Sequence, residues 1–338
     1  MASFTFTAAA VWADLVRDCA SAQVSIEVEQ YILMDDHIGR RFMTLLRDKA
    51  AQGVKVRLLL DSVGSRSLRG NPLIAELRQL GAEVQPYNRL HWRNLFTPHR
   101  WFPRNHAKSA MIDARIFHIG SACMADYMKD WVEAHVRIEG EVILNVEQDF
   151  RYKPEKSDNG YRYLRSRPGH RNPIYHEMLR CIREARKSIC IATPYFMPPI
   201  RLKRAITDAA KRGVDVRIMV AARPDVGIAG VVGQTYFEKM RKKGVKFFLY
   251  GPQMMHAKYV VIDHNWAMIG SANLDYLSML RNRESNLVVE DDSVVAGLAS
   301  HFDGAAAQSR LVDEAFWPQV SLPVKLLGYL GRVLKKVI

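Results

Sequence analysis

Cysteine is scarce in this chain: Cys19, Cys123, Cys181 and Cys190 are the only four among 338 residues. None forms a C-x-x-C pair and no zinc spacing occurs, so neither a disulfide scaffold nor a structural zinc site is encoded. Free thiols in a reducing compartment fit best. No run of about 18 uncharged apolar residues occurs, which argues against a transmembrane helix. The stretch Met1–Ala20 lacks a basic leader region, and its apolar run Ala8–Ala13 is short, so it does not read as a signal peptide. Acidic residues are in deficit, 35 Asp and Glu against 49 Lys and Arg, for a formal net charge of +14. The imbalance is confined to one half. Residues 1–150 carry 18 basic and 18 acidic side chains, whereas residues 151–338 carry 31 and 17. Such asymmetry points to a polyanionic partner, either nucleic acid or an anionic membrane. Apolar residues make up 48% and charged residues 25%, which fits a packed core and excludes a disordered tail protein.

What the chain does have is an internal repeat. Ser25-Ile26 leads to Tyr31 and then to Gly53-Val-Lys-Val-Arg-Leu58; Ser188-Ile189 leads to Tyr195 and then to Gly213-Val-Asp-Val-Arg-Ile218. Leu80-Gly81 through Tyr87 is matched by Lys243-Gly244 through Tyr250, and His106-Ala-Lys108 by His256-Ala-Lys258. Four landmarks in one order, at offsets between 150 and 164 residues, mark a tandem duplication. Each unit reads as α/β. Val24–Val28 and Ile189–Thr193 are strands, Arg40–Gln52 and Leu202–Arg212 are helices ending at Gly53 and Gly213, and Val54–Leu60 and Val214–Val220 are strands again. Such strand–helix–strand units imply parallel crossovers. Further strands run over Ala107–Ile112 and Tyr259–Ile262, each followed by a turn. The expected division is 1–150, a basic connecting loop at 151–171, a second half at 172–320 and a tail at 321–338.

The chemistry concentrates in two copies of one pattern. The first is His106-x-Lys108-x4-Asp113-x6-Gly120-Ser121; the second is His256-x-Lys258-x4-Asp263-x6-Gly270-Ser271-Ala-Asn273. A lone H-x-K carries no signal, but two copies at equivalent points of a duplication do. Residues i and i+2 of a strand share a face. If the halves meet about a pseudo-twofold axis, one cleft gathers two imidazoles, two ammonium groups and two Gly-Ser turns. That set suits a phosphodiester: one histidine attacks phosphorus and the other protonates the leaving oxygen. Asp113 and Asp263 stand where a hairpin turn is needed, so catalytic and turn-forming roles are both open. Glu133 follows His106 by 27 residues and Glu284 follows His256 by 28. A carboxylate on the far ring nitrogen would orient each imidazole.

The pattern resembles the phospholipase D superfamily with its duplicated HxKxxxxD motif, and within it the bacterial cardiolipin synthases. The residues responsible are Arg104-Asn105-His106, His135-Val-Arg-Ile-Glu-Gly140, Pro194-Tyr195-Phe196 and Gly270-Ser-Ala-Asn-Leu-Asp275 with Asn282 and Glu284. The resemblance implies two tandem α/β units with mixed, largely parallel sheets flanked by helices, and one active site between them. It implies a metal-independent, cofactor-free double displacement through a phosphohistidine on His106, with His256 as general acid and then base. Lys108, Lys258, Ser121, Ser271 and Asn273 would hold phosphate oxygens, with Tyr31 and Tyr195 lining the substrate path. The family usually has Asn where Cys123 stands, and Cys is a poor donor. Many bacterial cardiolipin synthases begin with two transmembrane helices; this chain looks like the shorter members.

The implied function is transfer of a phosphatidyl group between phospholipids, two phosphatidylglycerols giving cardiolipin and glycerol. The alternative is a phospholipase D or nucleic-acid phosphodiesterase that hydrolyses with the same site. Nucleic acid is disfavoured because the single-motif nucleases of the superfamily build one site from two chains, and this chain carries both motifs. The expected partners are therefore an anionic phospholipid substrate and a membrane surface, with a cytoplasmic, peripheral location. Aromatics and arginines interleave from His91-Trp92-Arg93 to Trp101-Phe102-Pro103-Arg104, a composition open to headgroup contact, to nucleic-acid contact or to loop packing. The tail places Leu322, Leu326, Leu327, Leu330 and further apolar residues on one helical stripe, with Lys325, Arg332, Lys335 and Lys336 mostly off it. It reads as a basic amphipathic membrane anchor, with packing onto the protein's own core as the alternative. Gly328 and Gly331 are expected to weaken this helix, so that it forms on contact with lipid.

Overall fold

The computed structural model describes residues 2–89, 97, 101–140 and 160–334. The first half comprises β1 (Ala2–Thr7), α1 (Ala8–Ser21), β2 (Ser25–Gln30), α2 (His37–Ala51), β3 (Lys55–Asp61), α3 (Pro72–Gln79), β4 (Glu83–Tyr87), β5 (Ser109–Ile112), β6 (Ile116–Gly120) and β7 (Val132–Glu139). The second runs through β8 (Tyr161–Arg165), α4 (Pro173–Glu184), β9 (Ser188–Ala192), α5 (Ile200–Lys211), β10 (Asp215–Ala221), α6 (Gly227–Arg241), β11 (Lys246–Tyr250), β12 (Tyr259–Ile262) and β13 (Trp266–Gly270). It ends with α7 (Tyr276–Leu280), β14 (Ser285–Val289), α8 (Asp292–Ala307), β15 (Ser309–Leu311), α9 (Phe316–Gln319) and α10 (Leu322–Leu334).

Each half builds one sheet. The strand orders are β1-β7-β6-β5-β2-β3-β4 and β15-β11-β10-β9-β12-β13-β14-β8. The sheets are mixed, as expected, but not largely parallel. Only β2-β3-β4 and β9-β10-β11, the strands joined by helical crossovers, pair in parallel. The hairpins β5-β6 and β12-β13, closed by the short turns 113–115 and 263–265, are antiparallel, and β7 and β14 pair antiparallel beyond them. The segment 160–171 departs from the loop assigned to it. Tyr161–Arg165 is a strand paired with β14, and Tyr161 and Tyr163 are buried in the central core. The alternation Tyr-Arg-Tyr, hidden inside a basic stretch, is the signal for it. Residues 151–159 of the expected connecting loop, and most of the His91–Arg100 stretch, lie outside the described residues.

Alternation also sets the layers. Ile26, Val28, Val56, Leu58 and Leu60 point to one face of the first sheet, under α1, α2 and α3. Phe117, Ile119, Val136 and Ile138 point to the other face and meet Tyr259, Val261, Ile269 and Leu287 of the second sheet. The two sheets thus pack face to face, with helices outside. This packing places the N-terminal ends of β5 and β12, just beyond the two His-x-Lys segments, at one seam.

Asp113 and Asp263 are turn residues. Each opens a hairpin in which it and the next residue take positive φ, 53° and 51° at Asp113-Ala114, 53° and 61° at Asp263-His264. The Asp113 carboxylate accepts the backbone N–H groups of Gln23, Val24 and Ser25 at 2.7–2.8 Å. Asp263 accepts those of Arg186, Lys187 and Ser188 at 2.7–2.9 Å. Four residues of extended chain, a span of roughly 16 Å from lysine to aspartate, separate each aspartate from its motif lysine. A catalytic part for either is therefore withdrawn: each splices a hairpin to the start of the neighbouring strand. Asp113→Ala or Asp263→Ala should cost about 1–3 kcal/mol by orphaning three amides. The readout is a lowered thermal midpoint with unchanged turnover per folded molecule; turnover lost at an unchanged midpoint would restore the catalytic role.

Candidate active site

At the seam the two halves exchange identical backbone contacts. The His106 N–H donates to Arg283 O at 2.8 Å, and the His256 N–H to Val132 O at 2.7 Å. In return Arg283 N–H donates to Arg104 O, and Val132 N–H to Met254 O, both at 2.9 Å. These form two parallel bridges, Asn105↔Arg283 and Val132↔Met255, related by the pseudo-twofold. The His-x-Lys segments thus precede β5 and β12 rather than belong to them. The first is fastened further by Arg104, whose guanidinium forks onto buried Asp61 at 3.0 Å, while Asp61 also accepts the Asn105 N–H.

The same exchange fixes the imidazoles. His106 Nδ1 lies 2.9 Å from Glu284 Oε2, and His256 Nδ1 lies 2.9 Å from Glu133 Oε1. Sequence spacing counts each glutamate from the histidine of its own half; the hydrogen bonds run to the opposite half. Burial raises the carboxyls of Glu133 and Glu284, but the facing histidine and nearby lysine and serine bring both below the ordinary carboxylate range. An ionised carboxylate only accepts, so each Nδ1 carries the proton and each Nε2 keeps its lone pair.

Ser121 and Ser271 were expected on phosphate oxygens, but their hydroxyls are already committed. Ser121 donates to Glu133 Oε2, and Ser271 to Glu284 Oε2 at 2.6 Å. Both are fully buried, and each Oγ also accepts a backbone N–H at 2.9 Å, from Ala134 and Ser285 respectively. The preceding glycines make this possible. A Cβ on Gly120 would stand 2.4 Å from Ala134 O, and one on Gly270 2.3 Å from Ser285 O. The Gly-Ser pair is thus a device for bringing a strand close enough to grip the glutamate.

Lys108 and Lys258 are almost wholly buried, each ammonium donating to the carbonyl of its own motif histidine, at 2.7 and 2.6 Å. Burial, opposed by Glu133 and reinforced by Lys108, brings Lys258 down to about 8. Tyr31 sets its ring 4.9 Å from His106, and Lys108 Nζ lies 5.2 Å from the same ring. Tyr195 donates its hydroxyl to Asp225. Two residues here were not anticipated. Trp131 stands edge-on to His256 at 5.2 Å, and Asp225 raises the proton affinity of that histidine. Neither carries a motif signal. Cys123 is buried in the helical core of the first half, where burial raises its thiol, whereas its counterpart Asn273 is buried with Oδ1 unpartnered.

Burial lowers both histidines, His106 to about 4, against the pull of the glutamates. At neutral pH both are therefore neutral in the free protein. Between pH 6.5 and about 4 the unfolded chain takes a proton that folded His106 refuses, so acidification across that interval destabilises the fold. The acid limb of kcat/KM should lie well below pH 6.5. Glu284→Gln should lower turnover by on the order of 10²–10⁴ and move that limb further down, because Glu284 is what raises His106. A limb that stays in place would show that Glu284 does not act through His106.

A family model described as cardiolipin synthase, PLD-like domain, matches residues 15–152 and 178–305. The chain is 29% identical over 319 residues to the probable cardiolipin synthase YwiE of Bacillus subtilis, covering 86% of this chain and 63% of the relative. It thus spans less than two thirds of that relative's length. Cardiolipin synthase B of Salmonella typhimurium is 31% identical over 89% of this chain and 79% of its own. Among solved structures, the phosphatidylserine synthase of Haemophilus influenzae superposes with a TM-score of 0.79 at 14% identity, covering 100% of this chain and 95% of that one, which is a likeness of fold. With both repeats matched and both histidines held at one seam, the chain belongs to the PLD-like family of the cardiolipin synthases.

Proposed function

We propose that the protein is a phosphatidyltransferase of the cardiolipin-synthase type. The observation that carries this reading is the pair of histidines, each held by a carboxylate of the opposite half, beside two buried ammonium groups. The curated relatives bear the same activity in their names. In the first step the Nε2 lone pair of His106 forms a bond to phosphorus and the bond to the headgroup oxygen breaks. His256, protonated, gives that oxygen its proton and glycerol leaves. In the second step neutral His256 takes the proton of a second lipid's hydroxyl, whose oxygen forms the new bond to phosphorus as the N–P bond breaks. His106 is the better nucleophile because burial lowers it to about 4, keeping its lone pair free. His256 is the better acid because Asp225 and Glu133 both favour its charged form. The diester's own negative charge supplies the remaining attraction for that proton. Lys108, Lys258 and Asn273 supply the phosphate contacts, and Ser121 and Ser271 act one layer behind, through the glutamates.

The substrates are two phosphatidylglycerols and the place of work is a membrane surface, on its anionic cytoplasmic leaflet. The basic second half suits that leaflet, and the four unpaired, buried cysteines suit a reducing compartment. Incubation with phosphatidylglycerol vesicles should give cardiolipin and glycerol by mass spectrometry. Phosphatidic acid alone would replace transfer with hydrolysis. His106→Ala should abolish the trapped phosphohistidine, while His256→Ala should still form it; a phosphohistidine found on His256 would reverse the two roles. Activity should persist in EDTA, since Lys108 and Lys258 provide the cationic charge; a loss that magnesium or zinc restores would refute this.

A further inference from the structure

Among the large apolar side chains that the described residues leave exposed, some, such as Val24, Leu80 and Leu311, stand singly, but a group gathers on the last helix. Five of them lie on α10: Leu322, Leu326, Leu327, Tyr329 and Leu330. Leu322, Leu326 and Leu330, at 67%, 62% and 61% exposure, form one row at i, i+4, i+8. Four more lie within a few residues, or in ring contact, of side chains at the site. Ile200 and Val226 begin or precede α5 and α6, just past the strand ends that lead to Tyr195 and Asp225. Leu280 stands four residues before Glu284. Tyr127 packs on Trp131, which stands edge-on to His256. Cations accompany them: Arg201 follows Ile200 and Arg281 follows Leu280, both exposed.

The helix α10 is already formed and strapped to the protein. A Cβ on Gly328 would meet Thr235 Cγ2 at 2.7 Å and Val231 O at 2.9 Å, and one on Gly331 would meet Val232 Cγ2 at 2.4 Å. Arg332 lies over the Tyr236 ring at 4.6 Å. The two glycines, expected to weaken the helix, instead let it lie against α6 with its leucine row turned outward. Because Gly328 faces Val231 and Thr235 while Gly331 faces Ile228 and Val232, the two helices run antiparallel. The C-terminal end of α10 therefore heads for the N-terminal end of α6, where Val226 and Asp225 border the site.

We propose that the leucine row of α10 and the apolar rim of the site form one preformed docking face for an anionic phospholipid bilayer, which sets the active-site mouth against the membrane. The inference rests on the reading of the site as one that acts on lipids. An apolar row together with exposed Ile200 and Leu280, which Arg201 and Arg281 flank, on the half that carries the whole +14 excess, fits an anionic lipid surface better than a second basic copy of this chain. The test uses the full chain with vesicles of phosphatidylglycerol. Leu322→Ser, Leu326→Ser and Leu330→Ser together should lower sedimentation with the vesicles by at least about tenfold, at an unchanged thermal midpoint. Hydrolysis of a soluble short-chain phosphodiester should stay unchanged. Without lipid, backbone amides within 326–332 should resist hydrogen exchange, and Gly328→Leu should remove that protection along with vesicle binding. Undiminished binding by the triple variant, or amides unprotected until lipid is added, would overturn the proposal. So would a lipid-free dimer that the triple variant breaks, since the face would then belong to a second copy. Leucine-dependent binding by a wild-type protein that makes no cardiolipin would sink the enzymatic reading and leave the docking face standing.

Discussion

Everything at the centre of this molecule hangs on a charge held across a seam. Glu133 and Glu284 are fully buried, and each reaches over from its own half to the imidazole of the other. Burying a carboxylate is costly unless it is paired and hydrogen-bonded. Here each glutamate is gripped by a serine and faced by a histidine. The serine grip requires a glycine beside it, the glycine permits the close approach of β7 or β14, and that approach sets the face on which the two sheets pack. The site is thus the point at which the two sheets are joined, and its chemistry and its stability share the same hydrogen bonds.

Much of this arrangement is legible in the sequence, and the failures have physical causes. The duplication, the histidines and the lysines are legible because a repeated motif carries its own control. The glutamates are legible as residue types at a fixed distance, but their exchange is not, because spacing along a chain is blind to which half a side chain leans into. The serines read as phosphate ligands in the sequence because a hydroxyl's partner depends on a neighbour, Glu133 or Glu284, that becomes adjacent only after folding. The aspartates share the motif with the histidines only in the linear order of residues; a strand's length carries them to the far end of the hairpin. Trp131 has no motif around it, and its place against His256 follows from the bridge between Val132 and Met255. The strand Tyr161–Arg165 is masked by its arginines, which pair with Glu177 and Glu29, while its tyrosines serve the core.

Symmetry holds at the backbone and lapses in the side chains. The two bridges match to within about 0.1 Å, yet Arg104 and Asn105 precede one histidine where Met254 and Met255 precede the other. Cys123 faces the core of one half where Asn273 stands in the other. The two approaches to one phosphorus are therefore unlike, polar and pinned by Asp61 on the His106 side, apolar and flanked by Trp131 on the His256 side. Two histidines of the same type in the same frame thus stand in different surroundings, as the members of acid–base pairs commonly do.

An exchange of this kind is what a symmetric dimer makes, in which a residue of each subunit completes the site of its partner. In such a dimer every substitution arrives twice, once on each side of the axis, and no difference between the two histidines can be inherited. Carrying both halves on one chain lifts that restriction. A cysteine can replace an asparagine on one side alone, and methionines can replace Arg-Asn on one side alone, while the seam keeps its geometry. Covalent linkage thus does for this fold what no symmetric pair could: it lets the surroundings of the two histidines diverge separately.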